Sequence, residues 1–135
     1  MLNLVYIVDD DPDDRQIMLQ CFAESDSTVS CVLFENGTEL LNKLKETQSE
    51  LPGLILLDLN MPGVTGLQAL REIRQDKNFA EIPVIVLTTS RLRRDRVISY
   101  ELGANCFLPK PDSYSKLLTI VNALNKLWFA EETFR

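Results

Sequence analysis

Four short stretches of the chain are apolar at nearly every position: Leu4 to Val8, Val29 to Phe34, Leu54 to Leu57 and Val84 to Leu87. Continuous apolar runs of this length, bounded by turn residues, predict strands, and Leu54 to Leu57 and Val84 to Leu87 read as buried on both faces. Cys106-Phe107-Leu108 predicts a shorter fifth strand of the same kind. Between the runs the apolar period changes to helical spacing. Ile17, Met18, Cys21 and Phe22 mark a first helix; Leu40, Leu41 and Leu44 a second; Leu67, Leu70 and Ile73 a third. A fourth is predicted from Arg91 to Leu102 with Val97 and Ile98 inward, and a fifth from about Ser113. Leu117, Leu118, Ile120, Val121, Leu124 and Leu127 give that last helix a broad apolar face.

Punctuation agrees with this reading. Asp11 can cap the first helix, Pro12 suits its first position, and Asp13 and Asp14 follow where the dipole favours acid. Ser25 to Ser27 reads as a turn. Asn36-Gly37 turns the chain, with Thr38 as a candidate cap, and Pro52-Gly53 closes that unit. Gly103 stops the fourth helix. Strands alternating with helices predict an α/β domain over residues 1–135: a doubly wound, parallel five-stranded sheet with helices on both faces. No linker, repeat or low-complexity segment interrupts it.

Composition narrows the chemistry. The 135 residues are 45% hydrophobic and 25% charged, ordinary for a globular chain that can bury its own core. The net charge of -6, from 14 basic and 20 acidic residues, argues against non-specific nucleic-acid binding. Cys21, Cys31 and Cys106 are scattered and read as buried, reduced thiols of a cytoplasmic protein. No leader pattern and no apolar run of membrane-spanning length is present. With no histidine, the chain has no imidazole base, ligand or phosphoacceptor.

Ligands of open parallel α/β sheets bind at the carboxyl ends of the strands, so each strand end contributes to one crevice. The first strand ends in Asp9 and Asp10, the third in Asp58, the fourth in Thr88 with Thr89 and Ser90, and the fifth in Lys110 between two prolines. Asp11, Asp13 and Asp14 read as solvated helix-start charges. Three carboxylates packed together require a cation, and an all-oxygen set suits Mg²⁺ or Mn²⁺ better than zinc. Such a cation typically bridges to phosphate, with Lys110 and Thr88 as donors on the far side. The acceptor would be a carboxylate forming an acyl phosphate, with Asp58 best placed. Arg91, Arg93, Arg94 and Arg96 crowd a helix start and read as either a solvated face or a partner surface. Phe107 reads as core or as a mobile aromatic, and Trp128 and Phe129 as core or a dimer patch.

These residues together resemble the response-regulator receiver domains of two-component signalling. The carriers are Asp9-Asp10, Asp58-Leu59-Asn60-Met61-Pro62 with Gly66, Thr88, and Lys110-Pro111. The resemblance covers essentially the whole chain and implies the flavodoxin-like (βα)5 strand order 2-1-3-4-5. It implies that Asp58 accepts a phosphoryl group from a histidine kinase or phosphotransfer protein. It further implies that Asp10, Asp58 and the Asn60 carbonyl bind Mg²⁺, with Asp9 assisting through water. Lys110 would pair with the phosphoryl oxygens, and Thr88 and Phe107 would form the switch. Such a chain is a signalling phosphoacceptor that assists its own phosphorylation and dephosphorylation, not a conventional enzyme. The chain departs from common family choices in three places: Phe107 for Tyr, Thr65 for Asp, and Thr89 for a very small residue. No output domain follows, as in stand-alone regulators. The run Ser99-Tyr100-x-Leu102-x-Ala104-Asn105-Cys106-Phe107, with a late aromatic pair, is similar to the regulators of bacterial phytochromes. That similarity implies a phytochrome kinase and a homodimer through helix four, strand five and helix five. Two other classes compete. In an Asp-nucleophile phosphatase of the haloacid dehalogenase type, Asp9-x-Asp11 would carry the phosphate on Asp9; Asp13 stands where that motif wants a small residue. In a flavodoxin, the acidic first loop would repel the cofactor's phosphate.

Overall fold

A computed structural model describes residues 3–46, 48 and 50–129. The elements alternate as β1 (Asn3–Val8), α1 (Pro12–Ser25), β2 (Val29–Phe34), α2 (Gly37–Leu44), β3 (Leu54–Leu57), α3 (Gly66–Gln75), β4 (Val84–Thr88), α4 (Arg93–Glu101), β5 (Cys106–Pro109) and α5 (Tyr114–Phe129). The strands form one sheet in the order β2-β1-β3-β4-β5, and every neighbouring pair is parallel.

The continuous apolar runs are explained by the two faces of this sheet. Val5, Ile7, Leu54, Leu56, Ile85 and Leu87 point to one side. There they meet Met18, Cys21 and Phe22 of α1 and Leu117, Val121 and Leu124 of α5. Tyr6, Val8, Ile55, Leu57, Val84 and Val86 point to the other side, against α2 and α3. Alternate residues serve opposite cores, which is why β3 is apolar at every position. Trp128 and Phe129 pack, half-buried, against the α1–α5 core.

The ends of the elements refine several expectations. Asn36, not Thr38, caps α2, its side chain accepting the Glu39 N–H at 2.8 Å. Thr65 caps α3 in a reciprocal box with Gln68, a role that Asp at this position also fills. The fourth helix begins at Arg93 rather than Arg91, after Leu92, which offers no side-chain cap. Its phase is also different. Val97 and Ile98 are exposed and Ser99 is buried, its hydroxyl satisfied by donating to the Asp95 carbonyl at 2.6 Å. That internal bond removes the cost of burying a hydroxyl, so the apolar pair is free to face outward. Ile17 of α1 and Leu127 of α5 are likewise exposed. Of the cysteines, Cys21 is buried while Cys31 and Cys106 are half-buried, and all three are free thiols.

Candidate functional site

The sheet ladder extends one residue past each strand, and that extension sets the site. Asp9 N–H donates to the Phe34 carbonyl at 3.1 Å, Asp58 N–H to Val8 at 3.0 Å, and Lys110 N–H to Thr88 at 2.8 Å. Three residues from distant parts of the sequence are thereby fixed at one edge by main-chain bonds alone. Asp9 and Asp58 are almost fully buried, and Asp10 is exposed. One carboxylate oxygen from each of Asp9, Asp10 and Asp58 lies within 4.8 Å of the others.

Gly66 allows the chain to return this close. A Cβ there would stand 2.1 Å from the Asp58 carbonyl oxygen and 2.7 Å from Leu59 Cα. Only glycine lets α3 begin directly against the main chain that carries Asp58. Gly63, in the same loop, has φ +74, a conformation that side chains disfavour. The loop leaves the Asn60 N–H facing Asp58 Oδ1 across a long 3.5 Å hydrogen bond.

Lys110 is the cation of this edge. Its Nζ lies 2.7 Å from Asp9 Oδ2, 2.9 Å from Asp14 Oδ2 and 3.5 Å from Asp58 Oδ2. All described peptide bonds are trans, so the flanking prolines aim Lys110 inward without isomerisation. Burial opposes the ammonium, but hydrogen bonds to Asp9 and Asp14 and the charges of Asp9 and Asp58 outweigh it and raise its pKa. The acids move the other way from stability. Burial pushes the Asp9 and Asp58 carboxyls above their ordinary range, against the opposing pull of Lys110. For Asp58, main-chain donors at Asn60 and Leu59 and the Thr88 side chain pull in the same lowering direction.

This donor set fits a hard divalent cation. Ligand oxygens of a six-coordinate Mg²⁺, at ~2.1 Å from the metal, lie ~3 to ~4.2 Å apart. The three carboxylates meet that span with small movements. Asp9 Oδ2 is buried and meets the Lys110 ammonium at 2.7 Å, an ion pair that leaves the oxygen a further lone pair for a cation. Exposed Asp10 leaves one side open to water and to an incoming ligand.

Of the other anticipated residues, Thr88 is fully buried, with Oγ1 accepting the Ser90 N–H at 3.2 Å. Phe107 is half-buried and lines a groove with Arg91, Arg96, Val97 and Tyr100. The Tyr100 hydroxyl accepts its backbone N–H at 3.0 Å. Thr89 is exposed beside the site. Asn60 stands in the loop directly after Asp58.

Asp14 was missed, and it corrects the reading of the acidic run as solvent-facing. A signal for it exists. Counting back from Cys21 and Met18 along the buried stripe of α1 lands on Asp14, so the third helical residue faces the sheet edge. Asp11 does act as the cap, accepting from Asp13 and Asp14 N–H.

Comparison with known proteins agrees with this geometry. Residues 5–122 match the family model of the response regulator receiver domain. The chain belongs to that family. It is 31% identical over 135 residues to response regulator Rcp1 of Synechocystis sp., covering 97% of this chain and 92% of Rcp1. It is 36% identical to response regulator Rre1 of the same organism over 118 residues, which make up 49% of that longer protein. The phosphorylated cyanobacterial phytochrome response regulator RcpA superposes with a TM-score of 0.89 at 31% identity, covering 97% of this chain and 96% of RcpA. The Mn²⁺-bound form of Rcp1 superposes with a TM-score of 0.84 at 32% identity, covering 93% of this chain and 94% of that chain. The receiver is therefore a module of two-component signalling whose acidic edge suits a divalent metal. Among the described residues, no helix is long and apolar enough to cross a membrane.

Proposed function

We propose that this receiver works as a single-domain regulator in the cytoplasm and takes a phosphoryl group on Asp58 from the phosphohistidine of a sensor kinase or a phosphotransfer protein. The observation that carries the reading is the arrangement around Asp58. It is a buried carboxylate at the end of the central strand, with two further carboxylates within 4.8 Å and an ammonium 3.5 Å away. The likeness to Rcp1 and RcpA makes a phytochrome the first kinase to test.

In the transfer, an Asp58 carboxylate oxygen bonds to phosphorus as the N–P bond breaks. The electron pair of that bond stays on the imidazole nitrogen, and an acyl phosphate forms. Mg²⁺ held by Asp10, Asp58 and the Asn60 carbonyl, with Asp9 assisting through water, would neutralise charge on the transferring group when bound. Lys110 supplies the fixed positive charge on the other side, in line with positioning and neutralisation as the main requirements of phosphoryl transfer. The same groups assist hydrolysis of the product, so the domain limits its own phosphorylated lifetime. Thr88 and Phe107 are the response elements: the hydroxyl moves to the phosphoryl group and the ring turns inward. The readout face is α4, β5 and α5, through which a second copy docks.

The test is labelling with acetyl phosphate and Mg²⁺, followed by mass spectrometry of the intact chain. Wild type and Asp9→Asn should both gain one phosphoryl group, and Asp58→Asn should gain none. The competing phosphatase chemistry puts the group on Asp9, so label retained by Asp58→Asn and lost by Asp9→Asn would reverse the assignment. In the structure Asp9 already accepts the Asp11 N–H at 3.0 Å and faces Lys110 at 2.7 Å, which disfavours it as nucleophile.

A further inference from the structure

An ammonium has three donors, and those of Lys110 are unevenly shared. Asp9 and Asp14 take the short contacts, at 2.7 and 2.9 Å, and Asp58 the long one, at 3.5 Å. The root of Lys110 is fixed by its bond to Thr88, so the carboxylates decide where Nζ rests. Asp14 is itself well anchored. The Asp11 cap orders the first turn of α1, and Met18, Cys21 and Phe22 seat the helix. The Arg15 guanidinium ties that turn to the Asp9 carbonyl at 2.7 Å. Asp14 is also the most exposed of the three carboxylates around Lys110, at 37% against 1% and 5%. An ion pair with one partner this exposed is weak and can be exchanged for a stronger one.

We infer that Asp14 is a positioning residue for Lys110: it competes with the phosphoryl group for the ammonium and so sets how tightly a phosphorylated Asp58 is held. The inference rests on the proposal that Asp58 is the phosphoacceptor. Without phosphate, Asp14 draws Nζ away from Asp58. A phosphoryl group on Asp58 presents more charge and several acceptor oxygens at the same place, and the ammonium changes partner. Asp14 then returns to water at little cost. A carboxylate at this position therefore lowers the affinity of the site for a phosphoryl-like ligand, acting through Lys110.

Beryllium fluoride, titrated calorimetrically in saturating Mg²⁺, is the probe. Asp14→Asn should bind it about two- to fivefold more tightly than wild type, the scale of a partly exposed ion pair. Asp14→Glu, which keeps the charge, should return to the wild-type value. In the Lys110→Ala background, Asp14→Asn should change nothing, because the residue it acts through is gone. Equal or weaker binding by Asp14→Asn overturns the inference. So does the same gain in the Lys110→Ala background, which would mean a general field effect. Acetyl phosphate labelling run in parallel separates the two levels. If wild type takes label on Asp58 and Asp14→Asn binds no better, only the inference fails. If Asp58→Asn still takes label, the phosphoacceptor assignment fails first.

Discussion

Replacing Asp58 with asparagine should make the metal-free protein more stable while abolishing phosphorylation. Two Coulomb effects oppose each other. At an effective dielectric of ~20, the Lys110 ammonium attracts Asp58 at 3.5 Å by about 5 kcal/mol. On the same scale, Asp9, within 4.8 Å, repels it by at least about 3 kcal/mol. Asp10 adds a smaller repulsion because it is exposed and screened. These terms nearly cancel, so burial decides the balance, and burial is the largest influence on Asp58, holding its carboxyl above the ordinary range. Asparagine keeps the shape and the Asn60 N–H contact and removes the charge. The expected gain is about 1–2 kcal/mol in urea unfolding at pH 7 with a chelator present. Added Mg²⁺ should stabilise wild type by mass action and the variant much less, narrowing or reversing the difference. An Asp58→Asn protein that unfolds at equal or lower urea in chelator would refute the claim that burial outweighs the Lys110 attraction here.

Three further outcomes follow from the same geometry. Stability of the metal-free protein should fall as pH rises from about 4 toward neutrality: between the unfolded value near 3.9 and the raised native values of Asp9 and Asp58, the folded chain holds more protons than the unfolded one. With Mg²⁺ that slope should flatten or invert, because the cation requires both carboxylates ionised; thermal melts with and without chelator check this. Gly66→Ala should cost at least about 3 kcal/mol and slow acetyl phosphate labelling, since its Cβ would stand 2.1 Å from the Asp58 carbonyl oxygen, a main-chain atom that cannot swing aside; a fully active, stable variant would contradict the close approach of α3. Lys110→Ala should still accept label on Asp58 yet fail to change its self-association on phosphorylation, as read by sedimentation; a variant that associates like wild type would remove Lys110 from the switch.

The strand ends were readable in the sequence because a parallel sheet buried on both faces leaves one signature, the unbroken apolar run. The ladder then carries the next residue of each strand to the same edge. Asp9, Asp58, Thr88 and Lys110 need no knowledge of side-chain packing to be placed together. Asp14 and the face of α4 were harder to read for one shared reason. Both depend on helical phase: Asp14 continues the inward stripe of α1 at its partly exposed end, and Ser99 is buried on α4. Asp14 is tolerated there because Lys110, 96 residues away, meets it. Ser99 is tolerated because its hydroxyl bonds its own helix. A pattern of apolar positions cannot register either compensation, so Asp14 reads as solvated and Val97 and Ile98 as inward.

The same difference separates the chemistry of the site from its response. Charge neutralisation at Asp58 is built from strand ends that main-chain bonds fix to the sheet. The proposed response face includes α4, whose start lacks a side-chain cap. That helix exposes Val97 and Ile98 and is tied to the sheet edge through the Tyr100 hydroxyl on Phe107 N–H. Its start is held through Ser90 instead, whose hydroxyl accepts the Leu92 N–H at 3.2 Å and donates to Asp95 at 2.6 Å. Under the proposed phosphorylation of Asp58, a rearrangement of Thr88 at the neighbouring strand end would act on these ties. The outward Val97 and Ile98 would be the surface that reports that proposed phosphorylation.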